Sequence, residues 1–414
     1  MHFSREYHPQ WTTIEKILFR FLFLYFALYV LLQFLSQFAE PLVQLAGHQL
    51  LNIQKDLSHF PTGSGDTTYA YVLLFINVLL AATGTIIWTF IDRKRPAYNT
   101  LFYWFLVVLR LFLAMMLLSY GFAKVYKTQF PEPSLIRLLQ PLGSFSPMGL
   151  AWTYMGFSEA YNVYTGMLEV LGGLLLIWRR TTTLGALLTM GVMSHVVVMN
   201  FTYDIPVKLF STHLLVMALV VAATDRRRLY RLFFSNKSTA SMIEYNPVKN
   251  KLYEKIKTGL KLTALILFIG ISVWQGYSGK REYGDKRAKP PLYGIWEVET
   301  MHINDSLIPP LLTNEQRWRY LVIDYKNRCS VMYMDDEIKW LNLEIDTSKS
   351  KLSIYNYDYE QHNNFTFSQE ADRLRIVGKL GRDTLNIKMK AKDLNEMRLP
   401  NRGFHWINEY PFNR

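Results

Sequence analysis

Hydrophobic positions divide the chain into two parts with different periodicities. Up to residue 277 they form long, nearly charge-free runs, each close to the roughly 20 residues that a helix needs to cross a bilayer core about 30 Å thick. The runs predict seven transmembrane helices, at about residues 17–36, 70–91, 102–122, 158–178, 183–202, 208–224 and 258–277. The first run lacks a small-residue cleavage site, so it is predicted to be a retained span rather than a signal peptide.

From Gly279 onward, short segments of alternating apolar and polar residues are separated by turn-forming sequences. They predict eight β-strands, at residues 295–301, 317–324, 328–334, 338–345, 351–357, 363–369, 373–378 and 383–390. Their spacing of about ten residues is typical of an antiparallel barrel or sandwich. Gly294-Ile295-Trp296 resembles the Gly-x-Trp motif that begins lipocalin-like barrels. Such a barrel either binds an apolar ligand or is filled by its own side chains, and we favour a filled or partner-binding barrel.

The predicted fold class is therefore an α-helical polytopic membrane bundle followed by an all-β soluble domain. The predicted boundaries are a transmembrane domain at residues 1–277, a linker at 278–290 and a β-barrel-like domain at 291–414.

Positive charge is concentrated in the membrane part. The formal net charge is +13, yet residues 279–414 contain 22 Lys and Arg against 20 Asp and Glu. Much of the excess lies in short loops at 92–95, 178–180 and 225–234, the last together with the Lys-rich stretch 249–261. Because cytoplasmic loops are rich in Lys and Arg, these loops predict a cytoplasmic N-terminus and a β domain on the opposite side. The basic stretch 279–287 opposes this orientation, but the three concordant loops outweigh it. No basic stripe with interleaved aromatics is present, which argues against nucleic acid as a partner.

One face of the fourth predicted span carries carboxylates and glycines at spacings of three and four: Glu159, Asn162, Gly166, Glu169 and Gly173. These spacings place the residues on one side of a helix, which is expected to pack closely against a neighbour. Arg110 lies eight residues into the third span, and Glu169 lies nine residues from the same side of the membrane. At about 1.5 Å per residue both are about 12–14 Å deep. We predict that they form a structural ion pair; the alternative, a proton or ion path, lacks a continuing ladder of carboxylates.

Polar residues are densest at the predicted outer ends of the spans. The candidate ligand-binding residues there are Asp66, Lys124, Glu159, Asn200, Asp204, Lys208 and His213. They predict a polar pocket that opens outward between the helices of the third to sixth spans. The alternative is that helix ends carry polar groups because they meet water and headgroups. We expect Asp204 and Lys208 to pair across the 203–207 turn and to lock two helices at the rim.

Metal chemistry has little support in the sequence. His195 and His213 do not have a metal-site spacing, and the single Cys329 allows no intramolecular disulfide or CxxC pair. No metal site is predicted, and any redox chemistry would need a bound organic cofactor.

Five stretches together resemble DoxX-type membrane proteins, and more narrowly the long DoxX-like proteins of Bacteroidetes-type bacteria. They are GSGDTTY (63–69), YGFAKVYKTQFPEPS (120–134), RLLQPLGSFSPMGLAWTYMGFSEAYN (137–162), LEVLGGLLLIWRRTTTLGALL (168–188) and NFTYDIPVKL (200–209). The resemblance covers about residues 10–235, and its generic core is the four-helix unit from the third to the sixth span. It implies a multi-pass protein of the bacterial inner (cytoplasmic) membrane with a periplasmic β domain.

The resemblance also implies candidate chemistry. DoxX-type proteins include a subunit of a thiosulfate:quinone oxidoreductase, so a quinone or another lipid-soluble ligand is expected between the helices, and quinone is the candidate cofactor. The motif positions carried over by resemblance are Asp66, Lys124, Gln129, Glu159, Glu169, Asp204 and Lys208. Gln129 thereby joins the candidate ligand-binding residues.

Two functions remain open from the sequence. The first is an inner-membrane protein that binds a quinone-like or lipid ligand in an outward-opening polar pocket, as a component of a membrane redox system. The second is a non-enzymatic scaffold, or a lipid-handling or assembly factor, whose periplasmic domain at 291–414 binds a partner protein. The lipid bilayer is a partner in both. Whether the protein is an enzyme, and which residues would be catalytic, does not follow from the sequence.

Overall fold

All seven predicted spans are α-helical in the computed structural model. The structure describes residues 5–60, 62–239, 245–248, 250–356 and 363–413. The helices are α1 (Thr13–Leu35), α2 (Glu40–Gln49), α3 (Thr68–Ile91), α4 (Asn99–Val125), α5 (Leu135–Leu139), α6 (Pro147–Phe157), α7 (Glu159–Ile177), α8 (Thr182–Thr202), α9 (Lys208–Ala223), α10 (Arg226–Phe233), α11 (Lys251–Glu282) and α12 (Arg398–Asn401). Among the described residues, six helical stretches are long and apolar enough to cross a membrane. A seventh span is added if α9 and α10, which meet at a bend of 79°, count as one.

The chain forms two compact units. The membrane unit comprises Met1–Gln129 and Ala160–Ser278, and the β unit comprises Phe130–Glu159 and Gly279–Arg414. The sequence placed residues 130–159 in the transmembrane domain, whereas the structure groups them with the strands. Helix α11 continues to Glu282, so the predicted linker begins as helix.

Aromatic side chains form much of the core of the membrane unit. Trp11, Phe19 and Phe102 meet at ring centroid distances of 5.4–5.8 Å, in edge-on contacts that aromatic rings favour. Arg20 of α1 is buried beside them, where it donates to the Tyr98 hydroxyl at 2.7 and 3.0 Å, to Thr89 Oγ1 and to the Asp92 carbonyl. This hydrogen bonding explains how an arginine is accommodated in the first span.

One end of the membrane unit, here called the basic end, is formed by residues 92–98, 178–181 and 224–239. A polar network at this end joins the N-terminal segment to residues near α8 and α10. Arg5 bonds to Asp225 Oδ2 at 2.5 Å and to the Thr183 hydroxyl, and it also donates to the Arg179 carbonyl. The opposite end, which contains the 203–207 turn, is here called the turn end.

The β unit contains a closed antiparallel barrel, which is compatible with a lipocalin-like fold. Its strands are β1 (Gly294–Ile303), β2 (Ser306–Leu307), β3 (Trp318–Tyr325), β4 (Arg328–Tyr333), β5 (Ile338–Asp346), β6 (Lys351–Tyr355), β7 (Asn363–Glu370), β8 (Arg373–Leu380) and β9 (Asp383–Ala391). Each strand from β3 to β9 pairs with the next, β1 pairs with β3, and pairing of β1 with β9 closes the sheet. Residue 357, the predicted end of the fifth of the eight strands, lies outside the described residues.

Buried apolar side chains from all eight long strands form one cluster inside the barrel. Trp296 of the Gly-x-Trp motif belongs to it, and its indole N–H donates to the Leu292 carbonyl at 2.9 Å. A bulge between Val298 and Thr300 shifts the alternation by one residue, so that Met301 also points inward. These side chains pack the interior, as expected for a filled barrel.

Helix α5 covers part of the outer face of the barrel within the β unit. Leu135 and Ile136 pack against Ile295, Val322 and other outward-facing residues of β1, β3 and β4. Asp324 fixes the start of α5, because its Oδ2 accepts from the Leu135 N–H at 2.8 Å. The predicted loop between the third and fourth spans is therefore a structural part of the β unit.

Candidate functional site

A cavity of about 820 Å³ lies at the turn end of the membrane unit. The cavity is lined by residues of α1, α3, α4 and α9 and of the segment 55–68. Most of the wall is hydrocarbon or aromatic. Its polar groups include Tyr29, Asn77, Tyr120 and His213.

His213 of α9 is held by hydrogen bonds at both ring nitrogens. Its Nδ1 lies 2.6 Å from the Leu209 carbonyl and its Nε2 lies 2.7 Å from the Tyr25 hydroxyl. A carbonyl only accepts, so Nδ1 carries the proton, and in the neutral ring Nε2 accepts from Tyr25. The imidazole also stacks on Tyr29, with centroids 3.9 Å apart and planes inclined by 4°. The arrangement fixes one ring orientation at the cavity wall.

Asn77 supplies a polar atom that the protein leaves unused. Its side-chain amide is 1% exposed and donates to the Tyr25 carbonyl at 3.3 Å. Its Oδ1 is buried and has no hydrogen-bond partner among the described residues. Because a buried unpaired acceptor is costly, a ligand with an O–H or N–H donor would gain by bonding to it.

A capped junction lies beside the cavity near the 203–207 turn. Asp66 accepts from the backbone N–H groups of Lys208 at 2.7 Å and of Leu209 at 3.0 Å, so it caps α9 from outside the helix. Asp204 bonds to the Lys208 ammonium at 2.8 Å, which confirms the predicted pair across the turn. The Gly65 N–H also donates to the Pro206 carbonyl at 2.7 Å. These contacts join the segment before α3 to the start of α9.

A buried ion pair joins α4 and α7. Both oxygens of Glu169 accept from the Lys124 ammonium, at 2.8 and 2.9 Å, and both side chains are less than a tenth exposed. Tyr120, on the cavity wall, lies over the same ammonium with its ring centroid 5.8 Å from Nζ. The pair therefore lies next to the cavity without lining it.

The predicted pairing of Arg110 with Glu169 is wrong, since Glu169 bonds to Lys124 and Arg110 donates to Thr182 Oγ1 at 2.9 Å. The depth estimate assumed that both helices begin at the same plane. Glycine contacts between the helices set a different register, because a Cβ on Gly121 would lie 2.8 Å from the Gly166 carbonyl oxygen. Arg110 is thus near the basic end of α7, and Glu169 is near the other end of α4.

The predicted ligand-binding residues do not meet in one pocket. His213 lines the cavity, whereas Asp66, Asp204 and Lys208 form the junction beside it. Asn200 donates to Ser211 Oγ at 3.0 Å, and Glu159 pairs with Lys280 in the β unit. Gln129 has a buried Oε1 with no hydrogen-bond partner among the described residues, and it does not line the cavity. For these residues, a ligand role stays a prediction.

The cavity also differs from the predicted pocket in location. It lies between the first, second, third and sixth spans, whereas the predicted pocket lay within the four-helix unit from the third to the sixth span. The part of the cavity wall at residues 55–60 was not predicted from the sequence. Leu57 there packs against α2 and α3. Hydrogen bonds from Gln44 and Ser58 lower the pKa of the neighbouring Asp56 carboxyl. Asn77, an amide inside an apolar run, was the signal available for this site.

Other chemistry finds little support in the described residues. They contain no group of three His, Cys, Asp or Glu residues that could hold a metal ion. Cys329 is buried in the barrel, and burial raises the pKa of its thiol to about 12. A thiol that remains protonated at neutral pH is a poor nucleophile.

The fold and the cavity define a multi-pass helical membrane protein with an appended β-barrel domain. A family model described as DoxX matches residues 105–201, from within α4 to near the end of α8. The chain is also 36% identical over 126 residues to the uncharacterized protein YwoB of Bacillus subtilis (strain 168), an alignment that covers 30% of this chain and 79% of that relative. The chain belongs to the DoxX family. No solved structure matches it.

The family match separates two parts of the site region. Lys124 and Glu169 lie within the matched residues, whereas Asp66, Lys208 and His213 lie outside them. Most of the cavity wall is therefore formed by residues outside the matched segment.

Proposed function

We propose that the protein binds an amphipathic, lipid-soluble ligand, either quinone-like or lipid, in the cavity at the turn end. The cavity itself is the supporting observation. Its volume of about 820 Å³ falls in the range of about 300–1,000 Å³ that is common for small-molecule sites, which are mainly apolar with a few placed polar groups. In a membrane redox system, such a ligand would be the quinone that carries electrons.

The wall matches a ligand with a polar ring and an apolar tail. Asn77 Oδ1 offers an acceptor to a hydroxyl donor, and Tyr29, whose ring stacks on His213, contributes a hydroxyl-bearing ring of fixed orientation to the wall. Leu32, Leu73 and other apolar side chains line the remainder, where a tail would lie. The quinol form of a quinone and the headgroup glycerol of phosphatidylglycerol both carry suitable hydroxyl groups.

Filling the cavity tests the proposal. Protein purified from its native membrane is extracted, and the extract is compared with bulk membrane lipid by mass spectrometry. Ala70→Trp places an indole in the cavity, whereas Leu79→Trp, on the same helix, adds the same group at a lipid-exposed position that does not line the cavity. We expect an enriched quinone or lipid in wild type and in the Leu79→Trp control, and loss of most of it in Ala70→Trp. No enrichment, or equal retention in both variants, would refute the proposal.

We further propose a bacterial inner-membrane location, with the basic end in the cytoplasm and the barrel in the periplasm. The basic loops support this orientation. In a Cys329→Ser chain, Asp305→Cys in the barrel should react with a membrane-impermeant maleimide in spheroplasts, and Lys94→Cys at the basic end should react only after lysis. The reverse pattern would overturn the orientation.

The alternative function, partner binding by the β domain, is supported by the C-terminal segment. Phe404, Trp406, Ile407 and Tyr410 are each more than three-quarters exposed. Exposed aromatic clusters are typical of interaction surfaces. A periplasmic protein that co-purifies stoichiometrically with wild type, and is lost from a Trp406→Ala/Tyr410→Ala chain, would favour this function, especially if no lipid-soluble ligand is found.

A further inference from the structure

A membrane-facing groove, separate from the cavity at the turn end, lies at the basic end beside helix α10. The α9–α10 junction bends by 79°. Because α9 belongs to the membrane-spanning bundle, this bend turns α10 nearly parallel to the bilayer plane. A short helix in that position lies where headgroups meet the hydrocarbon region.

The groove has an apolar floor and a mixed basic and aromatic wall. Its volume is about 1190 Å³. Leu187 and Met190 of α8 and Leu219 of α9 form part of the floor. The wall uses residues of the α10 segment at spacings i, i+3, i+4 and i+7: Arg227, Tyr230, Arg231 and Phe234. These spacings place the two guanidinium groups and the two rings along one side of the helix.

The charge of the groove has one sign. Arg226, Arg227, Arg231 and Lys237 line it, and none of its described lining residues is Asp or Glu. The nearest acidic neighbour in sequence, Asp225, already bonds to Arg5 and lies 3.5 Å from Arg228. The groove therefore presents positive charge next to lipid-facing helices.

We propose that this groove binds an anionic phospholipid. The phosphate lies between Arg227, Arg231 and Lys237, because guanidinium groups bind phosphate oxygens through paired N–H donors. The acyl chains follow the apolar floor on α8 and α9. Tyr230 and Phe234, whose rings stack with centroids 5.8 Å apart, lie at headgroup level, where aromatic side chains are favoured. The continuous apolar floor selects a lipid rather than a soluble phosphate compound, and this site is independent of the cavity at the turn end.

Lipid titration of the full-length protein tests this site. Delipidated protein in neutral detergent is titrated with phosphatidylglycerol or phosphatidylcholine, and bound lipid is counted by native mass spectrometry. We expect the first phosphatidylglycerol to bind about tenfold more tightly than phosphatidylcholine, and the preference to fall towards parity in Arg227→Gln/Arg231→Gln. The matched control, Arg93→Gln/Lys94→Gln, removes two exposed charges from another loop at the basic end and should keep the preference.

Three outcomes would overturn the proposal. They are no preference for phosphatidylglycerol in wild type, equal loss of preference in the double variant and its control, and displacement of the lipid by millimolar inorganic phosphate. If the double variant does not fold, Lys237→Gln, in the segment after α10, replaces it and should weaken phosphatidylglycerol binding several-fold. Retained preference in a folded Lys237→Gln chain would then count against the site.

Discussion

Asp66 stabilises a helix to which it does not belong. Its carboxylate is the hydrogen-bond acceptor for the first two N–H groups of α9, and it is only 8% exposed. Without the Asp66 carboxylate these two N–H donors lose their acceptor, and the segment before α3 loses one of its hydrogen-bonded contacts with the start of α9. We expect Asp66→Ala to lower the free energy of unfolding by about 1–2 kcal/mol, measured by denaturant titration in micelles.

Two matched variants separate capping from charge. Asp66→Asn should recover only part of the stability lost in Asp66→Ala, because its single amide oxygen can accept from one of the two N–H groups that the carboxylate oxygens of Asp66 bind separately. Asp204→Ala removes the other carboxylate near Lys208 but should have a much smaller effect, because Asp204 is 84% exposed and its ion pair is screened by solvent. An Asp66→Asn chain as unstable as Asp66→Ala would show that Asp66 acts through charge alone.

The buried pair of Lys124 and Glu169 predicts strong non-additivity. Lys124→Met leaves the carboxylate of Glu169 buried without its cation, and breaking a buried pair in this way typically costs about 3–5 kcal/mol. The double variant Lys124→Met/Glu169→Leu removes both charges and should be more stable than Lys124→Met. Denaturation of the single and double variants in the same detergent measures this difference. A double variant that loses the sum of the two single effects would contradict the pairing.

The two ion pairs predicted from the sequence had different outcomes for a physical reason. Asp204 and Lys208 are four residues apart, so local geometry nearly determines their contact. The Arg110 prediction required the relative register of two helices, which depends on the close packing of Gly121 and Gly166. An apolar run gives the length of a helix but not its offset against a neighbour.

At the scale of elements, Gly121 and Gly166 predict where α4 and α7 cannot tolerate a side chain. A Cβ at Gly121 would lie 2.8 Å from the Gly166 carbonyl oxygen, and one at Gly166 would lie 2.7 Å from the Gly121 carbonyl oxygen. Alanine is intrinsically better in helices by about 1 kcal/mol. Overpacking against backbone atoms costs about 1–3 kcal/mol, which outweighs this gain, so Gly121→Ala should be destabilising and Gly121→Val more strongly destabilising.

Gly191 of α8 provides the control for this substitution. A Cβ added there meets nothing within 4 Å, so Gly191→Ala should be neutral or stabilising. Thermal unfolding of the two alanine variants in the same detergent compares them. A Gly121→Ala chain as stable as Gly191→Ala would show that α4 and α7 can separate slightly at no cost.

Long elements were predictable from the sequence and short ones were not. The seven apolar runs and the alternating segments correspond to α-helices and to the eight long strands, because each periodicity extends over several turns or residues. Helices α2, α5 and α6 were missed, since they contain at most 11 residues and lie within segments interpreted as loops. The cavity was misplaced for a related reason, because α2 and the residues after it help to hold its wall at 55–60.

At the scale of the whole molecule, contacts distant in sequence could not be predicted from any local pattern. In the β unit, for example, Leu135 and Ile136 cover a face of the barrel that includes Ile295, which is distant from them in sequence. Strand alternation places these barrel residues on the face away from the core. It did not predict which segment covers them.

That covering predicts a coupling between α5 and the barrel that full-length protein can report. Ile136 is 3% exposed, and burying a side chain of its size contributes about 1.5–3 kcal/mol. Ile136→Asp should therefore detach α5 and speed amide hydrogen exchange in β3 and β4, measured by mass spectrometry on the intact protein. Leu142→Asp makes the same change at a side chain that is 71% exposed, so exchange should stay at the wild-type rate. Equal protection of β3 and β4 in the two variants would mean that the barrel holds these strands without α5, and that residues 130–159 contribute nothing to its stability.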